Sequence, residues 1–292
     1  MLAGRSGTRR AVGAAAAGAV AGIGLRRRGG PVGRAAVGAD RGQAAPHALG
    51  HAPSPGAAPG RQPVRFFPVA PPFEAYYALV DGPVVLGQAI SPLTVFGGLP
   101  AQYFEKARLE DHVATNVSGT FAYDFEYGLL VDEMAGAGAP APVGGDVSSL
   151  TYATINALAD PALRVPPPAG FAGGVAPLPT GGTFVPYSAD LAAAPGQVVP
   201  EHFWAYLQRP ELFPGGWLHD AGLPLTAAVP ARVDKGRVVD GDVAFVTDVP
   251  ITVQAFQRTV LTYDAANPEG FLVERANAGT DFQSVFPGQV PE

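Results

Sequence analysis

The stretch Gln102-Tyr-Phe-Glu-Lys-Ala-Arg-Leu109 returns later in this chain as Gln254-Ala-Phe-Gln-Arg-Thr-Val-Leu261. A second block precedes it in both places, because Phe73-Glu-Ala-Tyr76 is followed 130 residues later by Phe203-Trp-Ala-Tyr206. Between these two blocks lies a third that contains glycine and proline. Three blocks that recur in one order indicate a repeated supersecondary unit whose copies pack against one another.

Each block predicts one structural element. Phe73–Val80 and Glu201–Gln208 carry aromatic residues at positions i and i+3, which is typical of a short amphipathic helix. The middle block, which contains Gly87 in the first copy and Gly222 in the second, predicts a turn. The third block alternates, with one face formed by Tyr103, Glu105, Ala107 and Leu109, and therefore predicts a single strand.

The region around the second copy predicts further strands. Thr252–Tyr263 alternates over a longer stretch and predicts a long strand. Upstream, residues 232–238 and 239–243 each predict a hairpin turn. Leu150–Leu158, between the two copies, predicts a helix, and Pro166–Gly182 predicts a connection rich in proline and glycine.

These elements together predict an α+β fold. We expect two related modules of short helix plus antiparallel strands, after a disordered N-terminal segment. The first module is placed at residues 66–140 and the second at 201–286. The connecting segment, with its short helix, is placed at 141–200.

The composition narrows the class of protein. The 292 residues include 38 glycines and 31 prolines, so we expect many turns. The absence of cysteine excludes disulfides, thiol nucleophiles and cysteine zinc sites. With five histidines in the whole chain, no metal site and no cofactor are expected.

The N-terminal region has the features of an export signal, which we place at residues 1–28. Arg9 and Arg10 precede an uncharged stretch, Ala11–Leu25, that is shorter than a bilayer span. The Thr8-Arg9-Arg10-Ala11-Val12 start resembles a twin-arginine signal. The alternative is an uncleaved or misassigned start. Residues 29–65, rich in Gly, Ala and Pro, predict a disordered linker.

The charge is divided between the two ends of the chain. Residues 1–65 contain ten arginines and one acid, whereas residues 66–292 contain nine basic and 24 acidic residues, for a net charge of −15. An anionic body argues against nucleic-acid binding, which depends on Lys and Arg neutralising phosphates. We therefore expect an extracytoplasmic protein, either secreted or associated with the cell envelope, that meets the membrane only through its N-terminal segment.

The repeated blocks resemble a family. Gln102–His112 and Gln254–Asp264 are similar to the extracytoplasmic repeats of Chloroflexi-type bacteria, in which a helix, a glycine-proline turn and a strand of the form vQyFErarlEyH follow one another. They are more distantly similar to the Leu-Gly-Phe-Pro repeats of actinobacterial envelope proteins. The resemblance covers residues 66–285 and implies wall-associated, non-catalytic modules. It implies no particular substrate.

The densest group of ionisable residues lies at Glu105, Glu110, Asp111 and His112. One interpretation is a carboxylate pair for general acid–base catalysis, or a cation site that includes Asp132 and Glu133. The other is a charged strand surface whose residues pair across strands. The second copy has Gln257 and Thr262 where the first has Glu105 and Glu110, which favours the structural interpretation.

Two further groups of residues are candidate sites. His219 and Asp220 adjoin in sequence, and neighbouring side chains usually point apart, so we expect no catalytic dyad but a histidine bonded to a loop carbonyl. Residues 273–281 predict a turn, in which Arg275 pairs with an acid. No Gly-x-Gly-x-x-Gly turn precedes a helix, so nucleotide binding is not expected.

The aromatic residues offer a different kind of site. They are numerous for a core of this size, and some of them are expected to line an exposed groove for glycan or peptide. The residues chosen for this role are Trp217, Tyr103, Tyr206 and His219.

Two functions remain open. The first is an exported, non-enzymatic binding or structural module of the cell envelope. The alternative is an extracytoplasmic hydrolase whose acids lie near Glu105, Glu110 and His112, or near His219 and Asp220. Neither the ligand nor the oligomeric state follows from the sequence.

Overall fold

The computed structural model describes residues 64–117, 124–144, 147–239 and 242–291. Its helices are α1 (Pro71–Leu79), α2 (Gly82–Val85), α3 (Leu130–Gly136), α4 (Tyr152–Leu158), α5 (Glu201–Leu207), α6 (Trp217–Asp220) and α7 (Ala278–Val285). Its strands are β1 (Thr94–Phe96), β2 (Leu99–Tyr103), β3 (Arg108–Asp111), β4 (Phe125–Tyr127), β5 (Val147–Ser148), β6 (Ala176–Pro177), β7 (Thr183–Pro186), β8 (Gly196–Val199), β9 (Val229–Val239), β10 (Asp242–Ala255), β11 (Val260–Tyr263) and β12 (Val273–Arg275). The export signal predicted at 1–28 and nearly all of the linker predicted at 29–65 lie outside the described residues. None of the described helices has the length and apolar character needed to cross a bilayer.

The α+β class is confirmed, because the helices accompany sheets whose paired strands run antiparallel. One sheet has the order β1-β2-β3-β4, and a second has the order β12-β11-β10-β9-β5. A third, β6-β7-β8, belongs to the connection between the two repeats.

The repeat is visible as two sets of elements in the same order. Module 1, residues 66–140, has two helices (α1 and α2), then strands β2, β3 and β4, then helix α3. Module 2, residues 201–286, has helices α5 and α6, then strands β10, β11 and β12, then helix α7. Each module also has its own group of buried apolar residues, around Phe73 and Phe104 in module 1 and around Phe203 and Phe256 in module 2.

The third sequence block is a hairpin, so the prediction of a single strand was wrong. In module 1 the chain reverses between β2 and β3, and the amide of Phe104 donates to the carbonyl of Ala107 at 2.7 Å. Module 2 reverses in the same way between β10 and β11, where the amide of Phe256 donates to the carbonyl of Thr259 at 2.8 Å.

These reversals are stabilised by the middle block, the turn that contains Gly87 or Gly222. The amide of Lys106 donates to the carbonyl of Leu86, and the amide of Arg258 donates to that of Ala221. Gly87 has φ +76° and Gly222 has φ +79°, a left-handed conformation that favours glycine. Each hairpin turn therefore depends on a segment earlier in the chain, 20 residues away in module 1 and 37 residues away in module 2, and it lacks a local turn signal.

A buried glutamine joins the helix, turn and hairpin in both modules. Gln102 donates to the carbonyls of Pro68 and Ser91, and its side-chain oxygen accepts the amide of Ala70. Gln254 donates in the same way to Val198 and Thr226, but its side-chain oxygen has no partner among the described residues. The reason is that module 2 has Pro200 at the position of Ala70, and proline has no amide hydrogen.

The remaining predictions divide between right and wrong. The helix predicted at Leu150–Leu158 is present as α4, and the side chain of Thr151 caps its first turn. Residues 232–238 do not form the predicted hairpin turn, because β9 continues through them. Strands β9 and β10 pair through Val239 and Asp242, on either side of the second predicted turn, whose two central residues lie outside the described part of the chain.

Candidate functional site

Comparison of the two modules shows which residues the repeat fold requires and which it does not. Helix α6 carries Trp217, His219 and Asp220, whereas the corresponding positions of α2 are Gly82, Val84 and Val85. Helix α5 likewise has Trp204 where α1 has Glu74. Because module 1 forms the same elements without these residues, the repeat architecture does not require them. They are the strongest candidates for a function.

Trp204 and Trp217 lie edge to face on the surface of module 2. Their ring centroids are 5.3 Å apart with an interplanar angle of 63°, and both side chains are half-buried. The corresponding place in module 1 has no room for a tryptophan. A side chain at Gly82 would lie 2.2 Å from the ring of Tyr77, whereas module 2 has the smaller Leu207 at the position of Tyr77.

Helix α6, which carries Trp217, also contains a buried contact between two adjacent side chains. Nδ1 of His219 is 2.5 Å from Oδ1 of Asp220, and Asp220 is completely buried. The expectation that the two side chains point apart, with His219 bonded to a loop carbonyl, was therefore wrong. A carboxylate accepts hydrogen bonds, so this contact suits the tautomer of His219 that carries its proton on Nδ1.

The His219–Asp220 pair holds the loop that leads into Trp217. The other oxygen of Asp220, Oδ2, accepts the amide of Gly215 at 2.9 Å. A Cβ atom at position 215 would lie 2.4 Å from Nδ1 of His219 and 2.5 Å from Oδ1 of Asp220, so only glycine fits there. Gly216, with φ +86°, is the N-cap of helix α6, and Trp217 is the first residue of the helix. The position of Trp217 is thus determined by buried polar contacts.

Residues of module 1 cover the inner side of the His219–Asp220 pair. The ring of Tyr127 lies edge-on to that of His219 with centroids 5.8 Å apart, and the Tyr127 hydroxyl is 3.3 Å from that of Tyr76. Burial raises the pKa of both tyrosines, and the negative charge of Asp220 raises it further. Both hydroxyls therefore remain protonated at neutral pH and act as hydrogen-bonding groups.

The acidic group proposed from the sequence has structural partners. Oε2 of Glu105 accepts the amide of Gln88 at 2.8 Å, and in module 2 the amide oxygen of Gln257 accepts the amide of Leu223 at 3.0 Å. The same position therefore provides the same acceptor whether or not it carries a charge.

The other members of the acidic group also have partners. His112 lies 3.5 Å from Glu110, and Asp111 accepts the amide of Val113.

Glu110 and Glu133 both bind Arg108, which is 1% exposed. The guanidinium donates to both oxygens of Glu133, at 2.7 and 3.1 Å, and to Glu110 at 2.8 Å. It also lies over the ring of Phe96, 3.4 Å from the centroid. Burial alone would lower the pKa of Arg108, but the bond to Glu133 and the two nearby carboxylates raise it, so the group stays charged.

The other residues chosen from the sequence are separated. Tyr103 is 1% exposed and stacks on Phe282, so it does not line a surface groove. Tyr206 is half-buried, with its ring edge-on to Phe213. The structure thus places Trp217 and His219 on one short helix and adds Trp204, whose ring contacts that of Trp217 and which was not among the residues predicted for the site. The difference between Trp204 and its counterpart Glu74 was a signal in the sequence that could have identified it.

Residues 273–281 form no turn of the kind predicted. Val273–Arg275 is strand β12, and the acid Asp281 is buried in α7, where it accepts the hydroxyl of Tyr152 at 2.8 Å. In the part of the chain that the structure describes, Arg275 pairs with no carboxylate. It donates instead to the hydroxyl of Thr259 and the carbonyl of Val85.

Within the described residues, no three His, Asp or Glu side chains are placed so that they could hold a metal ion. Comparison of the chain with protein-family models, with curated proteins and with solved structures finds no match.

The role of Glu105 leads to a first prediction. Replacing Glu105 with glutamine should leave stability nearly unchanged, because Gln257 makes the equivalent bond, whereas Glu105→Ala should lower the free energy of unfolding by about 1 kcal/mol. Urea denaturation of the two variants measures the difference. Equal losses in both would contradict the proposed acceptor role.

Proposed function

We propose that this protein is an exported, non-enzymatic binding module of the cell envelope, and that its ligand contacts a surface formed by Trp204 and Trp217. The carrying observation is the Trp204–Trp217 pair, positioned by the buried His219–Asp220 contact. Module 1 has none of these four residues. These residues occur in one module, and the other module folds without them. Recognition of a ligand is the best explanation for their presence.

Aromatic pairs of this kind suit glycans and peptides. Tryptophan offers a large, rigid contact surface with one polar group, so ordering it on binding costs little conformational entropy. The half-buried rings leave part of that surface open to a ligand. We propose a cell-wall glycan or peptide as the ligand, which accords with the resemblance of the repeats to wall-associated proteins.

Export is proposed from the N-terminal sequence. Arg9 and Arg10, the uncharged Ala11–Leu25 stretch and the anionic body after it together support secretion. Fractionation of cells that express the full chain tests the proposal. Full-length protein confined to the cytosol, with its Met1 terminus intact, would contradict it.

The binding surface is tested by Trp217→Ala. Removing the ring deletes half of the aromatic pair, and we expect binding to insoluble peptidoglycan to weaken at least about tenfold, as for a central contact residue. Co-sedimentation of the purified full chain with peptidoglycan, and in a second series with peptide-free glycan strands, measures this loss. The second series separates the two ligand types.

Phe245→Ala is a matched control, because this phenylalanine is 51% exposed and lies on β10, outside α5 and α6. We expect it to bind as the unmodified protein does. An equal loss in both variants, or none in Trp217→Ala, would exclude the Trp204–Trp217 surface as the binding site.

A second function is favoured by one observation. The hydrogen bond from His219 to Asp220 is the kind that orients a histidine base, which keeps the hydrolase alternative open. Incubation of the full chain with peptidoglycan, followed by analysis of released fragments, tests it. Release that Asp220→Asn abolishes would support hydrolysis, and absence of release with intact binding would support the binding module.

A further inference from the structure

The last helix of each module makes its N-terminal contacts with the other module. In module 2, the amides of Gly279 and Thr280, in the first turn of α7, donate to the carbonyl of Glu105 at 3.0 and 3.1 Å. Glu105 lies in the hairpin turn of module 1. These two bonds therefore join the end of module 2 to the centre of module 1.

Module 1 makes the same contact in the opposite direction. The amide of Asp132, in the first turn of α3, donates at 3.2 Å to the carbonyl of Gln257, in the hairpin turn of module 2. The registers of the strands show that these are equivalent atoms. Leu109 pairs with Tyr127 as Leu261 pairs with Arg275, so Asp132 corresponds to Thr280.

Two side-chain hydrogen bonds also join the modules. Arg258 of module 2 donates to the carbonyl of Tyr127 in module 1, and Arg275 donates to that of Val85 at the end of α2. Helices α3 and α7 lie against each other, and their apolar residues belong to one shared core that includes Leu130 and Phe282. The last helix of each module thus contributes to a core that the two modules share.

A reciprocal contact defines a two-fold relation. When surface a of one unit meets surface b of the next, as in a stacked repeat, the contact is not returned. Here the hairpin turn of each module receives the last helix of the other, which is an isologous arrangement. We infer that the chain is an internal pseudo-dimer, in which each module offers a self-complementary surface whose fitting partner is another copy of the module.

One difference between the copies explains their unequal bonds. At Gly279 a Cβ atom would lie 1.9 Å from the carbonyl oxygen of Phe104, so glycine lets α7 approach closely enough for two amides to bond. Module 1 has Val131 at the equivalent position, and only the amide of Asp132 bonds there. The α7 contact is therefore the tighter of the two.

The inference does not depend on the proposed function, and it is tested on the full chain. A site for a sequence-specific protease, inserted after the exposed Gly170, allows the connection between the modules to be cut. We expect the two fragments to remain together through gel filtration and to separate in denaturant. Fragments that separate without denaturant would overturn the inference.

Gly279→Ala tests the contact itself in the cut protein. Because the added methyl group would displace α7 from Phe104, we expect the dissociation constant of the fragments to rise at least about tenfold. Gly136→Ala is the control, since a Cβ atom there has no neighbour within 4 Å. Dissociation constants within a factor of two of each other would overturn the inference.

Asp132→Pro tests the reciprocal contact, and it replaces Gly279→Ala as the test if that variant does not fold. Proline is tolerated in the first turn of a helix but has no amide hydrogen to donate to Gln257. We expect this variant also to weaken association of the fragments, by a smaller factor. Unchanged association would show that the contact between Asp132 and Gln257 does not stabilise the pair of modules, and it would overturn the pseudo-dimer.

Discussion

Replacing Arg108 with alanine should lower the free energy of unfolding by about 3 kcal/mol. The guanidinium is 1% exposed, and its removal would leave Glu110 and Glu133 close together without their cation. It would also remove the contact with Phe96 and leave a cavity. Glu133 is 31% exposed, so water compensates in part, which sets the estimate at the lower end of the range for buried pairs.

Urea denaturation of the Arg108→Ala variant provides the measurement. The matched control is Arg209→Ala, which removes an arginine paired with Glu211 where both side chains are well exposed. No measurable change is expected in the control, because exposed ion pairs contribute little. A loss in Arg108→Ala no larger than in the control would contradict a stabilising role for the buried arginine.

Replacing Gly215 with alanine should destabilise module 2 by about 2 kcal/mol and should also weaken the proposed binding to peptidoglycan at least about tenfold. The methyl group would be inserted between the loop and the His219–Asp220 pair, at 2.4 Å from Nδ1 of His219. Either the pair separates or the loop moves, and Trp217 is displaced in both cases. Binding should therefore fall at least as far as in Trp217→Ala.

The two effects are separated by measuring both in one variant. Urea denaturation gives the stability, and co-sedimentation with peptidoglycan at a temperature where the variant is folded gives the binding. Trp217→Ala serves as the comparison, because Trp217 is half-buried and its loss should affect binding more than stability. A Gly215→Ala variant that binds as tightly as the unmodified protein would show that the buried pair does not position the ligand surface.

The sequence was informative where local pattern decides structure. Aromatic spacing predicted helices α1 and α5, and the stretch at Leu150–Leu158 predicted α4. The α+β class also followed, since alternating segments and glycine-proline turns report on the backbone within a few residues.

The sequence misled where a distant segment decides structure. Phe104–Ala107 contains no glycine, proline, asparagine or aspartate, and it continues the alternation of the strand before it. Its reversal depends on bonds to the segment around Leu86 and Gln88, which no local pattern reports. The same limit applies to residues 232–238, where Asp234-Lys235-Gly236 suggested a turn but pairing with β10 keeps the strand extended.

The candidate site was partly predictable. Trp217 and His219 were selected from the sequence, but Tyr103 is buried against Phe282, a residue nearly 180 positions later. The contact between His219 and Asp220 was not expected, because it depends on a one-turn helix that follows Gly216 and on the cover that Tyr127 provides.

By itself the sequence determined that three blocks of residues recur in one order along this chain, since repetition is a property of residue order alone. The tertiary structure decided where each hairpin turns, which acids bind Arg108, and which module receives α3 and α7. All three depend on residues brought together from distant parts of the chain. Hydrogen bonds and burial between such residues are determined by packing, and the local propensity of each segment does not predict them.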